Sequence, residues 1–357
     1  MKTKTKDQFL SFVGKIIYIG LDLHKKIWCI AVRCDGVEIK YCTLPGQKEL
    51  LVHFLQNHFP GAQYVLAYEA SCFGYWLYDY LLDNGITTII TPPNLIPKED
   101  THRVKNNRID SHKLARFLES NHLKQVAAPS QQIRQHRGVV RARRQILRTL
   151  KRVQSQIRSV LLFYGIAIEP PKGQWPNYFV DNLERLRFSD PLFEASFRQQ
   201  LDLYRELRKR LSAQTRLVRL VARLSIYTEQ IELLLTVPGV GLLTAIEILT
   251  ELYDMTRFSS GDKVASYLGL TPTEYSTGEP GHEKYGHISH AGNGPMRASL
   301  IELAWRAIRK DGFLRQRFNG IAKRRGKKIA IVAVARTLAV RIRRVLIRKE
   351  VYVCGVA

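Results

Sequence analysis

The stretch KIIYIGLDLH, residues 15–24, decides the fold of the first part of the chain. Its nearly unbroken apolar run has the length of a strand buried on both faces. Asp22 sits inside it, and a carboxylate in such a strand is costly unless something at the strand end needs it. Working outward, IWCIAVRC (27–34) and VEIKYCTL (37–44) read as two further strands, separated by the hairpin turn Asp35-Gly36. Residues 47–59 have helical spacing. YVLAYEA (64–70) reads as a strand, residues near 74–84 as a helix, and ITTIITPP (86–93) as another strand. Three meandering strands followed by alternating helix and strand predict a mixed α/β sheet covered by helices, over residues 14–127.

The next zone, 128–230, is expected to be helical. Ile133, Val140, Leu147, Leu150, Val153, Ile157 and Leu161 recur at spacings near three, four and seven, an apolar seam suited to a partner helix. Gly165 to Pro176 interrupts it, and a second helical run is expected over 195–235, so that two long helices return on each other as an antiparallel coiled-coil arm. Residues 231–349 form a third, mainly α zone with glycine-rich turns.

Lys and Arg number 56 against 31 acids, a formal charge of +25, which points to a polyanionic partner. The charge is also clustered. Residues 131–160 hold nine Lys/Arg and no acid, and residues 323–349 hold eleven and no acid. A one-signed helix face repels itself unless an anion lies along it. Arg134, Arg137, Arg141, Arg144 and Arg148 on the first cluster, and Lys323, Arg324, Arg325, Lys327 and Lys328 on the second, are the expected phosphate contacts. Pro238-Gly239-Val240-Gly241, between two apolar helical stretches, resembles a helix–hairpin–helix turn; Gly239 and Gly241 would let backbone N–H groups approach a phosphate. A plain tight turn between helices explains the same glycines. Five cysteines without a CxxC pair fit a reducing cytoplasm, and the longest apolar stretch, 329–340, is too short to span a bilayer. The expected location is therefore cytoplasmic and nucleoid-associated, with no membrane partner.

Glu69 occupies, in VLAYEAS, the position that Asp22 has in its own strand, and Asp110 follows the basic segment VKNNRID. Three carboxylates from separate elements of one sheet can converge on hard cations, two magnesium ions for phosphoryl transfer, with manganese an expected substitute. Helix N-capping would also account for Asp110. The IG-Asp-LH-K strand, the strand ending in Glu, and the K-N-N-x-x-D run together resemble the RuvC-like, RNase H-fold domain of insertion-sequence transposases related to the Piv DNA invertase. That family carries four acids; here Asp22, Glu69 and Asp110 match, while Asn107 stands where the third acid is expected and would offer only a carbonyl oxygen. The resemblance continues through Pro238–Gly241, YLGLTP (267–272), Tyr275-Ser276-Thr277-Gly278, Gly286–Asn293 and Met296–Leu300.

The resemblance implies a transposase that excises and inserts its own element. Ser276 would be the nucleophile that becomes covalently joined to DNA, with Ser289 in reserve, and Arg297 a phosphate contact. His282, His287 and His290 lie around the same turn and are either further contacts or incidental. The implied partners are donor and target DNA, a structured noncoding bridge RNA as guide, and further copies of the chain in a dimer or tetramer joined through residues 130–230. Other readings of the residues are a metal-dependent junction nuclease that does not use Ser276, a site-specific DNA invertase without guide RNA, and a nucleic-acid-binding protein that has lost catalysis.

Overall fold

The computed structural model describes residues 12–97, 107–275, 284–288 and 292–355. The chain divides into two compact units, Met1–Ala128 and Pro129–Ala357.

The first unit is a five-stranded mixed sheet. Strands β1 (Ile16–Leu23), β2 (Ile27–Cys34) and β3 (Val37–Pro45) form an antiparallel meander, followed by helix α1 (Lys48–His58), strand β4 (Gln63–Glu69), helix α2 (Trp76–Asp83), strand β5 (Thr87–Thr91) and helix α3 (Asn107–Glu119). The strand order is β3-β2-β1-β4-β5, with β4 parallel to both β1 and β5. This is the sheet expected from the meander and the alternating elements after it. Asp35 and Gly36, at φ +49° and +80°, make the turn between β2 and β3, the left-handed pair that a two-residue hairpin requires.

Side chains alternate across the sheet. Ile17, Ile19, Leu21, Leu66, Tyr68 and Ile90 pack with Leu51 and Leu55 of α1 and Leu77 and Leu81 of α2. The opposite face takes α3, whose Ser111, Leu114, Ala115 and Leu118 are buried at helical spacing. Gly20 permits the close approach: a Cβ there would fall within the Ser111 carbonyl oxygen and the Ala115 backbone.

The second unit is mainly helical. Helix α4 (Gln131–Phe163) is followed by α5 (Asn177–Glu184) and α6 (Pro191–Ala222). Helices α4 and α6 run antiparallel: Arg143 Nε donates to Thr215 Oγ1 over 2.9 Å, while past the end of α4 the Tyr164 ring lies 4.7 Å from that of Phe193. Helix α5 was not anticipated from the sequence; it inserts Phe179, Val180 and Leu183 beside the fully buried Trp175. The second helical run also starts earlier than the expected residue 195. Asp190 caps α6 by accepting from the Leu192 N–H, and Pro191 takes the first helical position. It breaks at Arg223–Leu224 into α6 and α7 (Ser225–Leu235), because Leu224 is extended.

The remainder holds α8 (Leu242–Leu252), α9 (Gly261–Tyr267), a hairpin of β6 (Pro272–Tyr275) and β7 (Lys284–Ile288), then α10 (Gly294–Ala307), α11 (Gly312–Arg325) and α12 (Lys327–Arg348). One core joins α7, α8, α9, α10 and α12. Among the described residues no helix is long and apolar enough to cross a membrane.

Candidate carboxylate edge and nucleic-acid interface

Strands β1 and β4 pair in parallel up to Leu21 and Tyr68. The next residue on each is an acid, Asp22 and Glu69. Neighbouring strands stand about 4.8 Å apart, and residues at one register position point to one side, so the two carboxylates stand side by side. Asp22 lies two residues after Gly20 and hence faces the α3 side of the sheet. It is partly buried, and His24 Nε2 stands 3.0 Å from its Oδ2.

Helix α3 brings Asp110 toward the same edge. Its last residue, Glu119, accepts from Arg33 Nε at 2.6 Å and from the Gly36 N–H at 2.7 Å. Arg33 pairs across the ladder with Tyr18, so the end of α3 lies near the start of β1. Going back nine residues from Glu119 to Asp110 spans about 13 Å of helix. Going forward four residues from Tyr18 to Asp22 spans about 13 Å of strand. Asp110 is thus level with Asp22, on the face of α3 that carries Leu114 and Leu118. The helix starts at Asn107, three residues before Asp110, which therefore sits in the first turn rather than at the cap, where the helix dipole favours a carboxylate. The side chain of Asn107 lies outside the described residues.

The three acids offer oxygen donors, the chemistry that hard divalent cations take. Among the described residues, no three His, Cys, Asp or Glu side chains stand close enough to hold an ion as they are placed. The three acids share a face and an edge without forming a closed ligand shell.

In the second unit, the arginine cluster of α4 has internal partners. Arg141 donates through Nε and Nη2 to the two carboxylate oxygens of Glu251, at 2.7 Å each. Arg144 pairs with Glu247, and Arg137 Nε donates to the Thr250 carbonyl at 2.7 Å. Glu251 is 1% exposed and also accepts from Asn293 Nδ2 at 3.1 Å, while Ser299 Oγ donates to Glu247 at 3.0 Å. Burial pushes the Glu251 carboxyl up, but Arg141, Arg137 and Asn293 outweigh it and hold the group below its ordinary value. Three of the five arginines expected on phosphates are therefore engaged with α8. The anion lying along the one-signed face is, at these positions, the protein's own. Arg148 is exposed and Arg134 partly so. The sequence reading missed Glu247 and Glu251, although two acids four residues apart inside the apolar run 242–252 signal buried charges needing partners.

Gly239 and Gly241 also differ from each other. Gly239, at φ +83°, packs against α10, where a Cβ would lie 2.9 Å from Arg306 Cβ. Gly241 caps α8 and faces open space. Arg297 is turned inward, with Nη1 3.2 Å from the Leu268 carbonyl oxygen, so it holds the turn after α9. The second basic cluster presents itself differently. Lys323, Arg324 and Arg325 end α11, and Lys327 and Lys328 begin α12. Arg324, Arg325 and Lys328 line a cleft of about 640 Å³, floored by Leu270 and Ile329 and bordered by His287 and Ile288 of β7. Ser276, Thr277, His282, Ser289 and His290 lie outside the described residues.

Comparison with known proteins finds two family matches along the chain. Residues 19–166 match a DEDD-type transposase profile, and residues 231–319 match the family described as "Transposase IS116/IS110/IS902 family". The chain is 32% identical over 299 residues to the "Putative transposase y4qE" of Sinorhizobium fredii, covering 81% of this chain and 71% of that one. It is 25% identical to the transposase for insertion sequence element IS1533 of Leptospira borgpetersenii, over 69% of this chain and 72% of the other. It is 24% identical to a "Probable family 20 transposase" of Pseudomonas aeruginosa, over 89% and 93%. The DEDD match implies a RuvC-like fold for the sheet unit and, with it, divalent-metal-dependent DNA cleavage and recombination. With two domain matches in order and such a relative over most of its length, the chain belongs to the IS116/IS110/IS902 family of transposases.

Proposed function

We propose that this transposase excises and inserts its element through a covalent serine–DNA intermediate, with Ser276 as the nucleophile and Asp22, Glu69 and Asp110 holding magnesium. The alignment of Asp22 and Glu69 on one face at one strand edge carries the metal half of this reading. Asn107, in the place of the third acid, would offer a carbonyl oxygen with less charge, so weaker metal affinity is expected there. The bound cations would polarise the scissile phosphate and neutralise charge developing on it.

In the step itself, Ser276 Oγ forms a bond to phosphorus as the bond to one bridging oxygen breaks. The serine proton passes to a base, and a proton returned from that group to the departing strand's oxygen lets it leave as a free hydroxyl. Because the phosphodiester is exchanged rather than hydrolysed, an incoming strand hydroxyl can reverse the step without ATP. A cationic field stabilises the phosphate during attack. Arg325 and Lys328, in the cleft beside the hairpin whose strands are joined by residues 276–283, suit that role.

We further take 14–127 as the carboxylate region, 128–230 as a helical arm joining copies into a dimer or tetramer, and 231–349 as the serine region with its helix–hairpin–helix-like turn at Gly239 and Gly241. Donor and target DNA are the substrates, and a bridge RNA supplies sequence recognition by base pairing while the protein reads phosphates and shape. The test is trapping. Incubated with element-end DNA in Mg2+ and then denatured, the wild type should carry a protein–DNA adduct that Ser276→Ala lacks. Cleavage by Ser276→Ala at the wild-type rate would dismiss the covalent mechanism.

A further inference from the structure

We propose that Thr91, the last residue of β5, is a positioning residue for Glu69 in the metal site. The inference rests on the carboxylate reading above and adds a residue to it. Strand β5 pairs in parallel with β4, and Thr91 stands opposite Glu69. The register therefore runs across the sheet as Cys29, Asp22, Glu69 and Thr91, one residue from each of four strands, all on the α3 side. The Ala70 N–H donates to the Thr91 carbonyl at 2.8 Å and fixes that register beyond the end of β4.

Thr91 is fully buried, and its Oγ1 has no hydrogen-bond partner among the described residues. The other fully or nearly buried threonines behave differently. Thr88, three residues earlier on β5, donates to the Ile86 carbonyl at 3.0 Å, and Thr250 to the Ile246 carbonyl at 2.8 Å. A local carbonyl is the ordinary solution for a buried hydroxyl. Leaving one unpaired is costly, and such groups in native proteins call for an explanation such as a catalytic role or a place for a water or ion. A valine would fill the same volume without that cost. The neighbour on the same face with acceptor oxygens is Glu69, one strand spacing away, about 4.8 Å. With a metal held there, Thr91 Oγ1 would donate to the Glu69 carboxylate. This fixes the carboxylate rotamer and raises its effectiveness as a ligand, as outer hydrogen-bond partners of metal ligands do.

The experiment uses the full-length protein without nucleic acid and titrates Mn2+, read by the electron paramagnetic resonance signal of the free ion. Thr91→Val should weaken Mn2+ binding about ten-fold or more, and Thr91→Ser should restore it. The thermal midpoint of Thr91→Val should equal or exceed that of the wild type, since an unpaired hydroxyl is exchanged for a methyl. A purely structural threonine would lower the midpoint and leave Mn2+ affinity unchanged, which overturns the proposal. The Mg2+ concentration for half-maximal cleavage should rise in parallel. Should Thr91→Val fail to fold, Thr91→Ala is titrated instead with the same expected loss. Asp22→Asn separates the two levels. If it binds Mn2+ as the wild type does, the carboxylate reading itself fails; if it loses binding while the Thr91 variants keep theirs, only the role of Thr91 fails.

Discussion

Gly20→Ala should disable DNA cleavage while leaving every carboxylate in the chain intact. The added Cβ would fall inside the Ser111 carbonyl oxygen and the Ala115 nitrogen, and 3.0 Å from Ala115 Cα. Carbon atoms pack at about 3.5–4.0 Å, and the obstructing atoms are helix backbone, which cannot rotate away as a side-chain tip would. Helix α3 must therefore lift by on the order of 1 Å along its contact with β1. Overpacking of this kind costs about 1–3 kcal/mol. The catalytic loss should be larger in proportion, because α3 carries Asp110 while Asp22 and Glu69 stay on the sheet. A displacement of ~1 Å between groups that must act on one phosphate costs on the order of 100-fold in rate. The assay pairs chemical denaturation with Mg2+-dependent nicking of element-end DNA. Gly138→Ala is the control, since a Cβ there meets nothing within 4 Å on the helix α4; it should stabilise by about 0.5–1 kcal/mol and leave nicking unchanged. If Gly20→Ala retains both stability and the wild-type nicking rate, α3 does not press on β1 as described, and the placement of Asp110 falls with it.

Arg141→Met removes both 2.7 Å bonds to the buried Glu251. Because Arg141 is half exposed and Arg144 and Asn293 remain near the carboxylate, the expected cost is about 2 kcal/mol, below the 3–5 of a wholly buried pair; a denaturant-midpoint loss worth under about 0.5 would show the pair to be ornamental. Acid stability offers a signed check at Asp311. Burial pushes its carboxyl up, yet Tyr352, the Leu314 and Gly355 N–H groups and Arg341 together hold it below the ordinary carboxylate value. A depressed carboxyl contributes stability that is fully present above its unfolded value, about 3.9, and is lost as pH falls through its folded one. Asp311→Asn should therefore lower stability at neutral pH and flatten its decline below about pH 4, as read from urea midpoints against pH; an unchanged acid limb contradicts the arrangement. Arg325→Ala and Lys328→Ala should each weaken duplex binding without regard to sequence and reduce the slope of log affinity against log salt by about 1. Unaltered slopes would remove the basic cleft from the nucleic-acid path.

The order of elements in the first unit was written locally along the chain. Strand length, the Asp35-Gly36 turn and the switch from meander to alternating helix and strand are set by neighbouring residues, so β1 to β5 fall where periodicity placed them. Asp22 and Glu69 were legible for the same reason, as charges in apolar strands, and the family resemblance rested on short motifs of this kind. Helix α5 and the true start of α6 escaped notice. The Asp190-Pro191 capping signal was available there, but the apolar faces of α5 gain their meaning only against Trp175 and Tyr204.

Charge compensation was legible only from one side: two acids inside the apolar run 242–252 call for partners, but nothing in the sequence says which. The run 131–160 is one-signed along the sequence, yet Arg141 and Arg144 find Glu251 and Glu247 about a hundred residues away. The same holds for Thr91, an unremarked strand residue until the β4–β5 register set it beside Glu69. Local pattern determined which segments are strands and helices because period, turn and cap chemistry act over a few residues. Which charges are spent inside the protein, and which buried hydroxyl lacks a partner, only the tertiary structure decided, because those energies depend on groups that folding alone brings together.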